Sequence, residues 1–303
     1  MKRKDRSLWK EIVRNKSSYF FLLPFMVVFI LFLIIPACIA LFLSFTQYNI
    51  LEAPKLVGLR NYTQMFLYDE LFITSLKNTF YLALITGPLG YLIAYFFAYL
   101  ISQISDRYRN ILVTIFYIPS MTSGVAMAVV WKVFFANDSF GYLNSILFNL
   151  GIITEPVQWL TEPDLIIMVV IIISLWMSLG TGFLSFLAGF QNVNKEELEA
   201  GRIDGIKSRL MELWYIIIPS MKPQLLFGAI LAVVNSFRVG DMITALVGFP
   251  TPDDVGLTVV LHLRDFGMTR YELGYACAIS IVLFIIIFVV SRLCFRLFGE
   301  RES

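Results

Sequence analysis

The sequence predicts an all-α integral membrane protein with six transmembrane helices. Of its 303 residues, 58% are hydrophobic and 15% are charged, and the mean hydropathy is +0.76. An ordinary soluble domain is about 45–50% apolar and about 25% charged. The chain also contains apolar runs long enough to cross a bilayer, and its basic residues cluster between alternate runs.

Six runs are candidate spans, because a helix needs roughly 20 mostly apolar residues to cross a hydrocarbon core. In chain order they are Ser17–Tyr48, Asn78–Ser105, Ile111–Trp131, Leu165–Asn194, Pro223–Phe237 and Leu273–Ser291. The fourth run is long enough to include some loop, and the fifth is short. The basic start of the chain is similar to that of a signal peptide, but the first run exceeds a cleaved core of about 7–15 residues. We therefore expect the first helix to remain in the mature protein.

Lys and Arg are unevenly distributed among the connecting segments. Seven, two, five and three of the 24 lie in 1–16, 105–110, 190–222 and 292–303, whereas three, none and two lie in 46–78, 133–164 and 239–272. The positive-inside rule then predicts that both termini are cytoplasmic. The expected organisation is a basic N-terminal segment (1–16), a six-helix membrane domain (17–297) and a short cytoplasmic tail (298–303).

The most polar long stretch on the predicted cytoplasmic side is residues 191–223, between the fourth and fifth runs. Asn194 is suited to cap a helix, with Glu197 at the third helical position of a capping box. Gly205 is placed to end that helix in a left-handed conformation. Beyond it, apolar residues recur with helical spacing at Leu210, Leu213, Trp214 and Ile217. We predict a short helix pair that projects from the membrane surface.

Within this stretch, Glu199-Ala200-Gly201-Arg202-Ile203-Asp204-Gly205, followed by Pro219, resembles the EAA loop of ABC importer permeases. We call residues 191–223 the EAA-like loop. The resemblance implies a coupling helix that docks on a cytoplasmic ATPase through Glu199, Ala200, Gly201, Asp204, Gly205 and Ile206. A glycine permits close backbone approach, and a carboxylate can pair with a basic partner. The sequence departs from the common pattern at Gly201 and Ile206, where alanines are frequent.

The rest of the chain is similar to sugar permeases of the maltose and glycerol-3-phosphate type, most closely to the first permease subunit of the oligosaccharide and polysaccharide-fragment branch. The landmarks are residues 57–62, Trp131 with Gly141 and Asn144, and Trp176 with Gly180. The resemblance implies a type I ABC importer fold in a prokaryotic cytoplasmic membrane. It also implies three partners: a second permease, an ATPase dimer that binds ATP and Mg²⁺, and an extracytoplasmic solute-binding protein.

The sequence argues against several other functions. It has no G-x-x-x-x-G-K-[ST] phosphate loop, so we expect a transport subunit without its own cofactor, metal or enzymatic activity. The only histidine, His262, has no serine or cysteine partner in a recognised arrangement, and we interpret it as structural. A net charge of +2 in short clusters does not favour a nucleic-acid partner.

Three alternatives remain open. A permease of the same class could carry another small polar solute, such as glycerol-3-phosphate. A channel or a secondary transporter would need its own selectivity device or coupling carboxylates near the midplane. An intramembrane enzyme would need ionisable groups within the spans, and the runs carry almost none.

A saccharide path needs aromatic rings and polar side chains on inward helix faces. The candidates are Tyr81, Tyr91, Tyr95, Trp131, Trp176, Asn235, Ser236, Arg238 and Asp241. Lys132 and Arg238 lie at the predicted external borders of spans, which raises the hypothesis of a path that favours acidic saccharides. The alternative is that both side chains snorkel to the lipid head groups.

Overall fold

The computed structural model describes residues 15–122 and 124–298, and its regular structure is almost entirely helical. Most of the predicted N-terminal segment and of the C-terminal tail lies outside these residues. A two-stranded antiparallel hairpin, β1 (Thr46–Gln47) and β2 (Lys55–Leu56), follows the first helix. In chain order, the helices are α1 (Lys16–Leu43), α2 (Arg60–Leu67), α3 (Glu70–Ser102), α4 (Asp106–Met121), α5 (Gly124–Phe134), α6 (Tyr142–Asn149), α7 (Pro163–Met177), α8 (Thr181–Gln191), α9 (Lys195–Ile203), α10 (Arg209–Ser220), α11 (Lys222–Ser236), α12 (Asp241–Val247), α13 (Val259–Arg264) and α14 (Leu273–Phe298).

The described helices supply four to six candidate membrane spans. Four stretches are long and apolar enough by themselves: α1, α3, α7 with α8 (Pro163–Gln191), and α14. Two pairs qualify only if each bent pair is one span: α4 with α5, bent by 99°, and α10 with α11, bent by 79°. Each of the six predicted runs falls on one of these stretches or pairs.

Two predicted runs differ from the helices in detail. Helix α3, which contains the second run, begins at Glu70 rather than at Asn78. Asp69 caps it by accepting a hydrogen bond from the Phe72 amide at 2.9 Å. The third run, Ile111–Trp131, is divided between α4 and α5. The helix ends at Met121 and Thr122 is extended, with φ −75° and ψ 138°, before the next helix starts in a new direction.

Helix α3 is at the centre of the fold, since it contributes buried side chains to all three hydrophobic cores. One core joins it to α5, α7 and α12, a second to α2 and α14, and a third to α8 and the start of α11. Helix α1, in contrast, contains no buried residue. Its end nearest β1 contacts α14, and the rest of its apolar surface is left for lipid or another subunit.

Helices α1 and α10 each contain a π-helical turn shortly before a proline. A π-helical turn at Ile30–Ile34 precedes Pro36, and another at Leu213–Ile217 precedes Pro219. Proline cannot donate to the carbonyl four residues earlier and its ring clashes with that carbonyl, so a wider turn relieves the conflict.

Candidate functional site

A cavity of about 540 Å³ lies where two of the membrane stretches are interrupted and a third, α11, ends. Its wall includes Gly124 at the start of α5, Gly180 between α7 and α8, and Gly240 between α11 and α12. Irregular backbone at membrane depth is tolerated where it lines a cavity, and transporter binding sites are commonly built from interrupted helices. The break positions therefore mark a potential solute site.

Close packing of small residues brings the cavity-lining helices together. A Cβ atom added to Gly228 of α11 would overlap the Phe186 ring of α8. One added to Gly90 of α3 would lie 2.9 Å from Ser178 Cβ. Glycines at these positions let α3, α8 and α11 approach closely and expose polar backbone to the cavity.

The polar wall of the cavity is rich in hydrogen-bond acceptors. Ser178 Oγ and Ser236 Oγ donate to the carbonyls three residues earlier in the chain, at 2.6 and 2.9 Å. Their lone pairs remain available, since a hydroxyl has one donor and two acceptor sites. Ser174 Oγ, a buried atom, has no hydrogen-bond partner among the described residues. Such a wall suits a solute with many hydroxyl donors.

Two charged side chains, Arg238 and Asp241, line the cavity. The carboxylate of Asp241 forms an ion pair with Arg264 of α13. Within the described part of the chain, Arg238 has no ion-pair partner.

The structure brings five of the predicted path residues into this cavity. They are Tyr91, Asn235, Ser236, Arg238 and Asp241. Their predicted role in a substrate path stays a prediction. The sequence reasoning missed several other lining residues, namely Tyr117, Ser120, Ser174, Gly180 and Thr181. Gly180 and Gly182, close together within the fourth uncharged run, were the available signal for Gly180 and Thr181.

The other predicted path residues lie elsewhere. Trp131 packs on Phe135 and on Trp176, with ring centroids 5.7 and 6.2 Å apart. Tyr95 packs between Phe186 and Phe190. The remaining candidate, Tyr81, lines a separate cavity of about 340 Å³ beside Asp164, Asp253 and Asp254. Lys132 is also absent from the lining of the larger cavity, so the pairing of Lys132 with Arg238 in one path is not supported.

The turn of the EAA-like loop has the predicted helix ends. Asn194 caps α9 by accepting a hydrogen bond from the Glu196 amide at 3.0 Å, as predicted. Gly205 has the expected left-handed conformation, with φ +99°. The Ile206 amide donates to the Gly201 carbonyl at 2.9 Å and the Gly205 amide to the Arg202 carbonyl at 3.3 Å, which together form a Schellman motif.

The predicted capping box does not form, however. The Glu197 carboxylate accepts a hydrogen bond from Ser220 Oγ at 3.1 Å instead, because α10 packs back against α9. An ion pair between Arg202 and Glu212, 2.6 Å long, joins the same two helices. Both contacts fix the orientation of α9 relative to the fifth candidate span.

The two departures from the EAA pattern lie against each other. A Cβ atom on Gly201 would lie 3.2 Å from Ile206 Cδ1 and would overlap Ile216 Cδ1. The larger side chain at Ile206 therefore occupies space that an alanine at position 201 would need. Gly201 is buried, so it supports the turn from inside and does not face a partner.

The other predicted coupling residues present an open surface. Glu199, Ala200, Asp204 and Gly205 are exposed, and Ile206 is half-buried. Ile203, between them, is 87% exposed. An exposed apolar side chain beside carboxylates and an exposed turn is typical of a docking surface.

The predicted apolar stripe of α10 is only partly formed. Leu213 and Ile217 are half-buried, whereas Leu210 and Trp214 are 75% and 69% exposed. The π-helical turn before Pro219 changes the spacing of side chains around the helix, so the predicted residues do not share one buried face.

His262 belongs to a polar junction on the side of the fold opposite the EAA-like loop. Its Nε2 atom lies 2.8 Å from Asp69 Oδ2, which also accepts a hydrogen bond from the Tyr275 hydroxyl at 2.6 Å. Burial raises the pKa of Asp69, but the hydrogen bonds from His262, Tyr275 and the Phe72 amide more than offset it and lower the pKa to about 2. The junction joins α13 to the first turns of α3 and α14, which agrees with a structural histidine.

The chain resembles known transport proteins over most of its length. The family model described as binding-protein-dependent transport system inner membrane component matches residues 86–298. The probable ABC transporter permease protein YesP of Bacillus subtilis (strain 168) is 33% identical, over 97% of this chain and 93% of that protein. The arabinooligosaccharides transport system permease protein AraP of the same organism is 31% identical, over 98% of this chain and 94% of that protein.

A solved structure has the same fold. It is a chain in the crystal structure of a bacterial ABC transporter involved in the import of the acidic polysaccharide alginate. The two chains superpose with a TM-score of 0.80 at 24% sequence identity, and the match covers 98% of this chain and 100% of that chain.

Proposed function

Because the chain belongs to the family of binding-protein-dependent transport system inner membrane components, we propose that it carries oligosaccharides through the cytoplasmic membrane as one permease of an ATP-driven importer. The proposed complex contains a second permease, two ATPase subunits and an extracytoplasmic binding protein. ATP and Mg²⁺ bind to the ATPase subunits. The exposed, Schellman-capped turn at Glu199–Gly205 is the observation that carries this proposal.

The oligosaccharide substrate is supported by the cavity and by the relatives. A wall of hydroxyl acceptors with two tyrosines, Tyr91 and Tyr117, matches the hydroxyl donors and apolar ring faces of a sugar. AraP is named for arabinooligosaccharides, and the structural neighbour for alginate. Both names support an oligomeric sugar over a small solute such as glycerol-3-phosphate.

Energy coupling is assigned to the EAA-like loop. In this proposal the loop faces the cytoplasm together with both chain termini, and Ile203 and Glu199 contact an ATPase groove. The Glu197–Ser220 and Arg202–Glu212 contacts then pass a displacement of α9 to α10 and α11. Since α11 ends at the cavity wall, this displacement changes access to the solute site.

A charge reversal at Glu199 tests the coupling role. We expect Glu199→Lys to abolish saccharide-stimulated ATP hydrolysis or the retention of ATPase subunits, because a like-charge contact in an interface costs several kcal/mol. Gly205→Trp should have the same effect by adding bulk at the turn. The measurements are the subunit composition of purified complexes and ATP hydrolysis with binding protein and saccharide.

Glu155→Lys is a matched control, since Glu155 is also an exposed glutamate but lies between α6 and α7. It should leave assembly and hydrolysis unchanged. Normal assembly and stimulation in both loop variants would contradict the coupling role. Recovery of a permease that transports without any ATPase would instead favour a channel or secondary transporter.

A further inference from the structure

The charges around the cavity do not cancel. Arg238 and Asp241 are the charged side chains among its lining residues in the described chain, and Asp241 is already paired with Arg264. Arg238, an exposed residue that contributes to the wall, has no ion-pair partner among the described residues, so its positive charge is uncompensated there. A guanidinium presents a planar fork of N–H donors that fits a carboxylate in a bidentate manner.

Backbone geometry adds to the positive character. Helix α8 starts at Thr181 without a side-chain cap, and Gly180, Thr181 and Gly182 all line the cavity. The first amide groups of a helix lack partners within it and carry the positive end of the helix dipole. The Asn235 amide adds a further donor close to Arg238 in the chain. Donors and positive charge thus share one cavity with the hydroxyl acceptors.

Lys132, the other basic residue at a span border, provides an internal comparison. It is exposed near the end of α5 and does not line the cavity. Its position agrees with an ammonium group that reaches the lipid head groups. Both border cations are exposed, and Arg238 but not Lys132 contributes to the cavity lining.

We propose that this cavity selects saccharides that carry a carboxylate, with Arg238 binding the carboxylate and the serine acceptors binding the sugar hydroxyls. The inference rests on the proposed function, because it names the substrate class of that same site. Arg238 is a specificity-determining residue under this proposal, and its loss should affect acidic saccharides more than neutral ones.

The test uses the complete transporter, reconstituted in liposomes with its partner subunits and binding protein. The probes are uronate oligosaccharides of two to four units and their neutral counterparts, in which each carboxylate is replaced by a hydroxymethyl group. Uptake of each probe is measured for wild type, Arg238→Gln, Arg238→Lys and Lys132→Gln. The binding protein is the same in all samples, so its own preference cancels when acidic-to-neutral ratios are compared between variants.

We expect Arg238→Gln to lower the acidic-to-neutral uptake ratio about tenfold, equivalent to ~1.4 kcal/mol, while Arg238→Lys retains part of it. Lys132→Gln should leave the ratio unchanged. An unaltered acidic-to-neutral ratio in Arg238→Gln would overturn the inference and leave oligosaccharide import standing. Failure of the assembled wild-type transporter to import any probe would contradict the proposed function itself.

If Arg238→Gln does not assemble, Arg238→Cys can be studied in a chain whose Cys38, Cys277 and Cys294 are replaced by alanine. The assembled complex is treated with a cationic or a neutral methanethiosulfonate reagent of similar size. The cationic adduct should restore acidic uptake and the neutral adduct should not. Equal uptake with both adducts would count against Arg238 as the carboxylate-binding group.

Discussion

Two glycines in the EAA-like loop serve different physical purposes. Gly205 is needed for its backbone, since φ is +99° while nothing lies within 4 Å of a Cβ atom placed there. Gly201 is needed for its small volume, since Ile206 and Ile216 occupy the space of a side chain. A substitution at Gly205 therefore strains the turn, whereas one at Gly201 displaces packed neighbours.

The packing at Gly201 leads to a prediction at the residue scale. We expect Gly201→Ala to gain less than the ~1 kcal/mol that alanine has over glycine inside a helix, because its methyl group would displace the Cδ1 end of Ile216. Hydrogen exchange of the α9 and α10 amides measures this local stability. Adding Ile216→Val removes the Cδ1 atom that the new methyl group would overlap, so the double variant should be better protected than Gly201→Ala. Equal protection of the single and double variants would contradict the tight packing.

At the scale of elements, polar contacts join α13 to the first turns of α3 and α14. Asp69 caps α3 and also joins α13 and α14 through His262 and Tyr275. Because the carboxylate is ionised over the physiological range, the His262 Nε2 atom must donate the hydrogen bond. Three elements are thus tied at one carboxylate.

This junction predicts a loss of stability on mutation. Tyr275→Phe should cost about 1.5–3 kcal/mol, because it removes a hydrogen bond to a charged group, and Asp69→Asn should cost more because it affects all three donors. Thermal unfolding of the purified protein measures both. Tyr142→Phe, at a ring 61% exposed, is the control and should have little effect. Equal melting temperatures for all three variants would contradict a stabilising role.

The pKa of Asp69 also sets a pH dependence. Its folded-state value of about 2 lies below the ordinary 3.8, so its stabilisation is complete above the unfolded-state pKa and is lost as the pH falls towards about 2. We expect the stability difference between wild type and Asp69→Asn to be constant from about pH 5 to 8 and to shrink below about pH 4. A difference that already shrinks between pH 8 and 5 would contradict the lowered pKa.

At the scale of the whole molecule, the number of spans depends on how the two bent pairs cross the membrane. If each pair is one span, the chain has six and both ends lie on one side, as the distribution of Lys and Arg predicts. If a pair is re-entrant, the count falls and the connecting segments change sides.

Single cysteines at exposed positions in a cysteine-free chain distinguish these topologies. We expect cysteines at Ser105 and Lys207 to be protected from a membrane-impermeant maleimide added outside intact cells. Cysteines at Ser139 and Met268 should be labelled, because they lie beyond the bent pairs. Labelling of Ser105 and Ser139 positions from the same side would show that α4 with α5 does not cross the membrane.

The sequence by itself determined the membrane class, the six apolar stretches, the N-cap at Asn194 and the left-handed turn at Gly205. These features depend on local properties, namely total apolarity, helix-capping side chains and the steric freedom of glycine, which are readable from neighbouring residues. The family also followed from a local motif. The substrate-path residues were only partly predictable, since five candidates line the cavity and Trp131 and Trp176 pack outside it.

Only the tertiary structure decided which faces meet. The ion pair that neutralises Asp241 joins α12 to α13, which sequence periodicity treats separately. The bend between α4 and α5 and the contact between Ile206 and Gly201 likewise depend on the three-dimensional path of the chain. In a chain whose spans are apolar on nearly every side, hydropathy does not distinguish lipid-facing from inward-facing residues. Close packing of glycines and serines makes that distinction, because it determines which helices can approach and where a polar cavity remains between them.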